Sequence, residues 1–331
     1  MRTGRVWDLV GETPLVRIES LSKLTGCEIF GKAEYANPGG SVKDRAAKAI
    51  IHRGERDGLL RPGGVIVEGT AGNTGIGLAT LAAARGYKVI ICAPDNQAVE
   101  KYRILESLGA DVRKFPAVPF TDPDHFYHRA RAVAVGLPGA FWADQFENLA
   151  NGEAHYATTG PEIWVQTEGN VDVFVCAVGT GGTMSGVSRY LKEQKPGLRT
   201  VLADPFGSGI HCYLREGRLE TEGSSVAEGI GIMRLTANFR SARIDESMRV
   251  SDADMIDMLY HLAEKDGLLV GTSAALNASA AYRIGLAHEG TGKTIVTILC
   301  DHGTRYQSRV FDAGWLFEKG LRPKALSRNA P

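Results

Sequence analysis

Apolar residues fall in short, nearly unbroken runs that alternate with longer segments of helical periodicity. The short runs, over 65–68, 88–93, 111–114, 171–178, 200–204 and 294–301, are mostly β-branched. That pattern predicts parallel strands buried on both faces. The longer segments predict helices over 44–57, 74–85, 98–108, 124–135, 155–166, 183–194, 252–266 and 273–288. Alternation of this kind predicts an α/β fold with doubly wound, mainly parallel sheets and helices on both faces. Two such sheets are expected to meet near residue 150, with a ligand site in the cleft between them. The stretch 115–123, with its three prolines, reads as a surface connection, and no repeat or low-complexity tract is present.

Composition narrows the class. A chain of 331 residues has room for roughly two domains of ordinary size. Its 38 basic side chains balance 38 acidic ones, so net charge favours neither nucleic acid nor an anionic membrane. Glycine is abundant, at 40 residues, which implies many tight turns and close backbone approaches. The five cysteines are widely spaced, with no CxxC pair. That argues for a reducing compartment and against a disulfide framework or a zinc site. The N-terminal segment lacks an apolar signal core and no run is long enough to span a bilayer, so a cytoplasmic protein is expected.

Three glycine-marked helix openings carry the candidate chemistry. In Asn37-Pro38-Gly39-Gly40-Ser41-Val42-Lys43 the glycines make a turn and Ser41 is a suitable N-cap for the next helix. A helix N-terminus and the neighbouring cation Arg45 both favour a neutral amine on Lys43, as Schiff-base chemistry requires. A solvated lysine in the first turn explains the segment equally well. The second opening, Glu68 to Gly77, follows a buried strand, and its amides and Thr70 and Thr74 hydroxyls would nest a carboxylate. The third, Gly179-Thr180-Gly181-Gly182-Thr183, again joins strand to helix, and would hold a phosphate dianion.

Other signals are weaker. The dinucleotide fingerprint fails at Thr80, and the Walker-like run from Ala287 to Thr294 has helix before and strand after, the wrong way round. Gly271-Thr272-Ser273 reads by itself as a helix start with Ser273 as its cap. No histidine, cysteine or carboxylate spacing makes a metal site, and no nucleophile elbow is present.

Taken in order, these motifs make the chain resemble the cysteine synthase (O-acetylserine sulfhydrylase) family of tryptophan-synthase-β-like pyridoxal phosphate enzymes. The resemblance runs from Gly11-Glu12-Thr13-Pro14-Leu15 through His155-Tyr156 and Thr158-Thr159-Gly160-Pro161 to Asp301-His302-Gly303-Thr304-Arg305-Tyr306. It implies a smaller domain over 35–150 and a larger one over 1–34 plus 151–331. It further implies that Lys43 holds pyridoxal 5'-phosphate as an internal aldimine and then acts as general base. Asn73 would meet the ring hydroxyl, Gly179, Thr180, Gly181, Gly182 and Thr183 the phosphate, and Ser273 the pyridine nitrogen. Thr70, Ala71, Gly72, Asn73, Thr74 and Gln145 would surround the substrate carboxylate.

The implied reaction replaces the acetate of O-acetyl-L-serine with sulfide through an α-aminoacrylate, with ping-pong kinetics and closure of the segment 70–75. A serine opposite the ring nitrogen suits it, because an unprotonated ring is a weaker electron sink and favours β-elimination. Cysteine desulfhydration, S-sulfocysteine or cystathionine synthesis, and a catalytically silent partner-binding role are the alternatives. A homodimer, and serine acetyltransferase as a partner, are implied by resemblance alone. Two departures stand out: Ala71 replaces the usual serine, and His302 would bring an imidazole near the ring face. Arg234 is expected either to reach an anionic leaving group or nucleophile, or to form a surface salt bridge.

Overall fold

The computed structural model describes residues 5–70 and 72–326. Its strands are β1 (Leu15–Arg17), β2 (Glu28–Ala33), β3 (Val65–Gly69), β4 (Lys88–Pro94), β5 (Asp111–Phe115), β6 (Ala140–Trp142), β7 (Val173–Ala177), β8 (Arg199–Pro205), β9 (Glu246–Val250) and β10 (Thr294–Leu299). They form a six-stranded sheet, ordered β1-β2-β10-β7-β8-β9, and a four-stranded sheet, ordered β5-β4-β3-β6. Every pairing is parallel except β1 with β2, whose register sets Leu15 opposite Lys32.

The apolar runs explain why these strands are central. In β7, Val173 and Val175 pack into one core while Phe174 and Cys176 pack into another on the opposite face. β10 divides in the same way, with Ile295 and Leu299 on one side and Val296 and Ile298 on the other. Within the smaller sheet, Ile66 and Ile91 face the Asn73–Ala83 helix, while Val67 and Cys92 pack against Ala130 and Ala134. A two-residue alternation inside a continuously apolar run leaves no face for water.

All six expected strands are present, but β1, β2, β6 and β9 were not expected. β1 and β6 have only three residues each, and β2 and β9 interrupt their apolar positions with charge. Lys32 in β2 is nonetheless fully buried. Its amine sits 2.7 Å from Glu162 and donates to Gln166 at 2.8 Å. Beside it, Arg45 donates to Glu34 and Glu162, with closest approaches of 2.8 and 2.6 Å. Burial alone would push the Glu162 carboxyl up, yet Arg45 and Lys32 override it and hold it at about 2. These ion pairs strap the Lys43–Arg56 helix to the larger sheet.

The expected 155–166 helix is subdivided. Ala150–Ala154 leads into a π-helical turn, His155–Thr159, before Gly160–Gln166 resumes the α-helix. Such turns often occur where a helix must aim a side chain at a site. All five cysteines are free.

Candidate active site

A cavity of about 250 Å³ opens between the two sheets. Lys43 lies at its base. The Asn37–Gly40 turn closes with Gly40 N–H donating to Asn37 O at 2.7 Å, and Gly40 has φ +77°. Ser41 Oγ accepts from Lys43 N–H at 3.3 Å, but Ser41 is not the expected N-cap: the helix starts at Lys43, Val42 is its N-cap, and no side chain caps it. The Lys43 amine has no hydrogen-bond acceptor or ion-pair partner among the described residues. That separates it from a salt-bridged surface lysine. One expectation needs correction: Arg45 does not act as a free cation beside Lys43, because Glu34 and Glu162 take up its guanidinium. Next in the helix, Asp44 is wholly buried. Desolvation raises its carboxyl to about 7, although Gly39 N–H donates to it.

The second opening lies across the cavity. Thr70, Gly72, Asn73 and Thr74 line it, as does Gln145; Ala71 lies outside the described residues. Thr70 Oγ1 accepts from Gly72 N–H at 3.3 Å, and the Thr74 hydroxyl donates to Gln145 Oε1 at 2.5 Å. Gln145 is placed from behind by Glu68, which accepts its backbone N–H at 3.1 Å. No water reaches Glu68, and burial raises its carboxyl to about 8. Sequence reading passed over Glu68 because a glutamate at a strand end looks like any solvated charge.

Gly179, Thr180, Gly181 and Thr183 line the opposite wall, and Gly182 lies just off it. Thr180 Oγ1 accepts from Asn151 Nδ2 at 2.9 Å and from Gly182 N–H at 3.4 Å, leaving its own proton for the cavity. Asn151 Nδ2 also donates to Gln145 O at 2.9 Å, so one side chain joins the Gln145 segment to the 179–183 loop. Thr183 Oγ1 lies 3.2 Å from His155 Nε2, on the π-helical turn. Desolvation drives the His155 pKa well down, with the Arg45 and Lys43 charges adding to it, so the imidazole is neutral. His155 was singled out from sequence only as part of the family resemblance, with no role of its own, and Asn151 lay outside every expected helix.

Ser273 lines the cavity on a third side, near Cys300. It is not the helix cap. The helix is Thr272–Ala287, Gly271 is its N-cap, and Ser273 lies inside the first turn. Desolvation pushes the Cys300 thiol up to about 11, and its sulfur accepts from Asn277 Nδ2 at 3.5 Å. A buried ion pair between Lys101 and Glu228 closes part of the rim.

Two other expectations fail. His302 is not on the cavity wall: its imidazole accepts from Thr304 N–H and sits edge-on to Tyr35 at 6.2 Å between centroids. Arg234 makes no ion pair among the described residues and does not line the cavity either. Its guanidinium lies 4.3–4.4 Å from the ring centroids of Phe120, Tyr127 and Phe146. Cation–π attraction therefore does the work assigned to a carboxylate.

This donor set fits a phosphorylated pyridine aldehyde. One wall has hydroxyls and helix-start amides with no carboxylate, the base carries an unpartnered amine, and Ser273 supplies a hydroxyl that can donate to a ring nitrogen. The phosphate wall is also built to stay bare of side chains. A Cβ on Gly181 would lie 2.7 Å from Phe239 backbone, and one on Gly182 would lie 2.1 Å from Asn151 Oδ1.

Comparison with known proteins agrees with this chemistry. Residues 6–301 match the family model described as pyridoxal-phosphate dependent enzyme. The chain is 50% identical to cysteine synthase 1 of Neurospora crassa, over 94% of this chain and 84% of the relative. It superposes with a TM-score of 0.85 on the O-acetylserine-dependent cystathionine β-synthase of Helicobacter pylori, at 33% identity, covering 93% of this chain and 98% of that one. A hydrogen sulfide-producing enzyme from Fusobacterium nucleatum gives the same TM-score and identity, covering 92% of this chain and 100% of its own.

Proposed function

The chain belongs to the pyridoxal-phosphate-dependent enzymes, among the cysteine synthases, and from that premise we propose that it makes L-cysteine and acetate from O-acetyl-L-serine and sulfide. The observation that carries this reading is the convergence of an unpartnered Lys43 amine, the 179–183 loop, Ser273 and the Thr70–Gln145 wall on one cavity. When bound, the cofactor supplies an electrophilic aldehyde and a ring that withdraws electron density from the substrate.

The protein's part divides by wall. Thr180, Thr183 and the loop amides would hold the phosphate, and Ser273 would donate to the ring nitrogen. Thr70, Gly72, Thr74 and Gln145 hold the substrate carboxylate, and closing that segment excludes water. Lys43 Nζ would be the group to hold the aldehyde and to move the proton of the substrate α-carbon. The domain division at 35–150 follows from the same reading, with closure as movement of the smaller unit.

Release of hydrogen sulfide from cysteine is the second reading, supported by likeness to the Fusobacterium nucleatum enzyme. A homodimer and a serine acetyltransferase partner rest on family resemblance. A cytoplasmic address is favoured by five free thiols. No described helix is long and apolar enough to cross a membrane.

The test is to offer the purified protein O-acetylserine, O-phosphoserine or cysteine, each with and without sulfide or thiosulfate, and identify the products. Cysteine formed only from O-acetylserine plus sulfide supports the first reading, and sulfide released from cysteine alone supports the second. Lys43→Ala should abolish borohydride-fixed cofactor and lower kcat at least about a hundredfold, the usual scale for a lost general base. Protein that binds no pyridoxal phosphate would sink both readings.

A further inference from the structure

We infer that Asp301 and Arg305 form a clamp that orients the Asn73 side-chain amide, so that one Nδ2 proton is presented to the ring hydroxyl of the cofactor. This rests on the proposed function for the hydroxyl, but the clamp itself is visible in the protein. Asn73 Nδ2 donates to Asp301 Oδ2 at 2.6 Å, and Arg305 Nη1 donates to Asn73 Oδ1 at 2.5 Å. A carboxylate can only accept and a guanidinium can only donate. The two contacts therefore dictate which end of the amide is oxygen and which is nitrogen. With one Nδ2 proton on Asp301, the other is left for the cavity that Asn73 lines.

The clamp is itself held. Asp301 is fully buried, bridges to Ser41, and accepts from the Tyr306 hydroxyl at 2.6 Å. Gly271 makes room for it, since a Cβ there would lie 2.1 Å from Asp301 Oδ1. Arg305 is 6% exposed, and its second terminal nitrogen donates to Gly39 O in the turn that leads to Lys43. Asn73 opens a helix of the smaller sheet, whereas Asp301 and Arg305 follow β10 of the larger one. The clamp thus sets Asn73 and the Lys43 turn in one frame across the cleft. Asn73 alone, on a free side chain, could offer either amide end to a hydroxyl.

Asp301→Asn and Arg305→Lys test this in the holoenzyme. Asparagine at 301 can donate as well as accept, and lysine at 305 is a point charge that does not match two acceptors as a planar fork does. The readout is the pH-dependent ratio of the cofactor's visible band to its near-ultraviolet band, which reports ionisation of the ring hydroxyl, with Asn73→Ala as reference. Each clamp variant is expected to shift that ratio roughly tenfold, the scale of one charge-assisted hydrogen bond, in the same direction as Asn73→Ala. Adding Asn73→Ala to either clamp variant should produce no further change, because all act through one amide. Should Asp301→Asn fail to fold, Arg305→Lys carries the same comparison.

A wild-type ratio in both clamp variants overturns the inference, as do shifts that add to that of Asn73→Ala. So does an unchanged ratio in Asn73→Ala itself, which would remove the ring-hydroxyl role while leaving the cysteine synthase reading intact. Failure of the wild-type protein to retain cofactor on Lys43 after borohydride reduction defeats that reading and the inference with it.

Discussion

The two glycine-rich openings that line the cavity differ in what stands behind Gly181 and Gly72. In the loop from Gly179 to Thr183 main chain stands behind two glycines, since Cβ atoms added at Gly179 and Gly181 would meet Gly229 O at 2.3 Å and Phe239 backbone at 2.7 Å, while Gly182 is backed by the Asn151 side chain at 2.1 Å. The Thr70–Thr74 opening is backed by side chains instead. At Gly72 a Cβ would come nearest the Lys101 side chain, at 3.1 Å, and at Gly75 it would come nearest the Thr70 methyl, at 3.0 Å. Main chain cannot move aside, whereas a lysine stem can change rotamer. A phosphate that stays bound through every turnover suits the first construction. A substrate carboxylate that must enter and leave suits the second.

Alanine at the two openings should break this contrast most sharply. Gly181→Ala forces a side chain onto φ +88° and into Phe239. It should lower cofactor affinity by more than about tenfold and destabilise the protein by ~1–3 kcal/mol. Gly72→Ala should leave cofactor affinity within about twofold and act mainly on KM. Equilibrium titration of the apoprotein and urea unfolding measure the first pair of effects, and steady-state kinetics the second. Equal losses of cofactor affinity in the two variants would erase the distinction.

Smaller effects should follow at the carboxylate wall. Thr74→Val removes the donor to Gln145 Oε1, and a lost neutral hydrogen bond of about 1 kcal/mol corresponds to a KM raised roughly fivefold. Cofactor affinity should be unchanged, and a parallel loss of both would show that the two walls do not act separately.

A separate effect should be one of pH on stability. The Glu68 carboxyl is raised from 4.5 to about 8 by burial, so between those values the folded state holds a proton that the unfolded state has released. Its contribution is therefore greatest below about pH 4.5 and declines as pH rises toward 8. Glu68→Gln should flatten that decline, seen as urea midpoints that vary less with pH than those of the wild type. Identical pH profiles would mean that Glu68 is charged in the folded protein.

Much of this molecule was determined locally, by the sequence alone. Five buried strands were legible because parallel strands covered on both faces need continuous apolar runs, as at 171–178 and 294–301, whereas the expected strand at 111–114 forms but lies largely exposed at the edge of the smaller sheet. Three helix openings were legible because glycine is placed where main chain turns sharply or comes close, and their order pointed to one cofactor. What escaped was decided at long range. β2 hides Lys32 because Glu162, far along the chain, neutralises it, and no local pattern announces that. Arg234 found three aromatic rings and His302 lies off the cavity wall because packing, not spacing, sets where a side chain points. Asn73 and Asp301 are 228 residues apart in sequence. Only the order of strands in the two sheets brings them into contact, and a hydrogen bond has no energy until its partners meet.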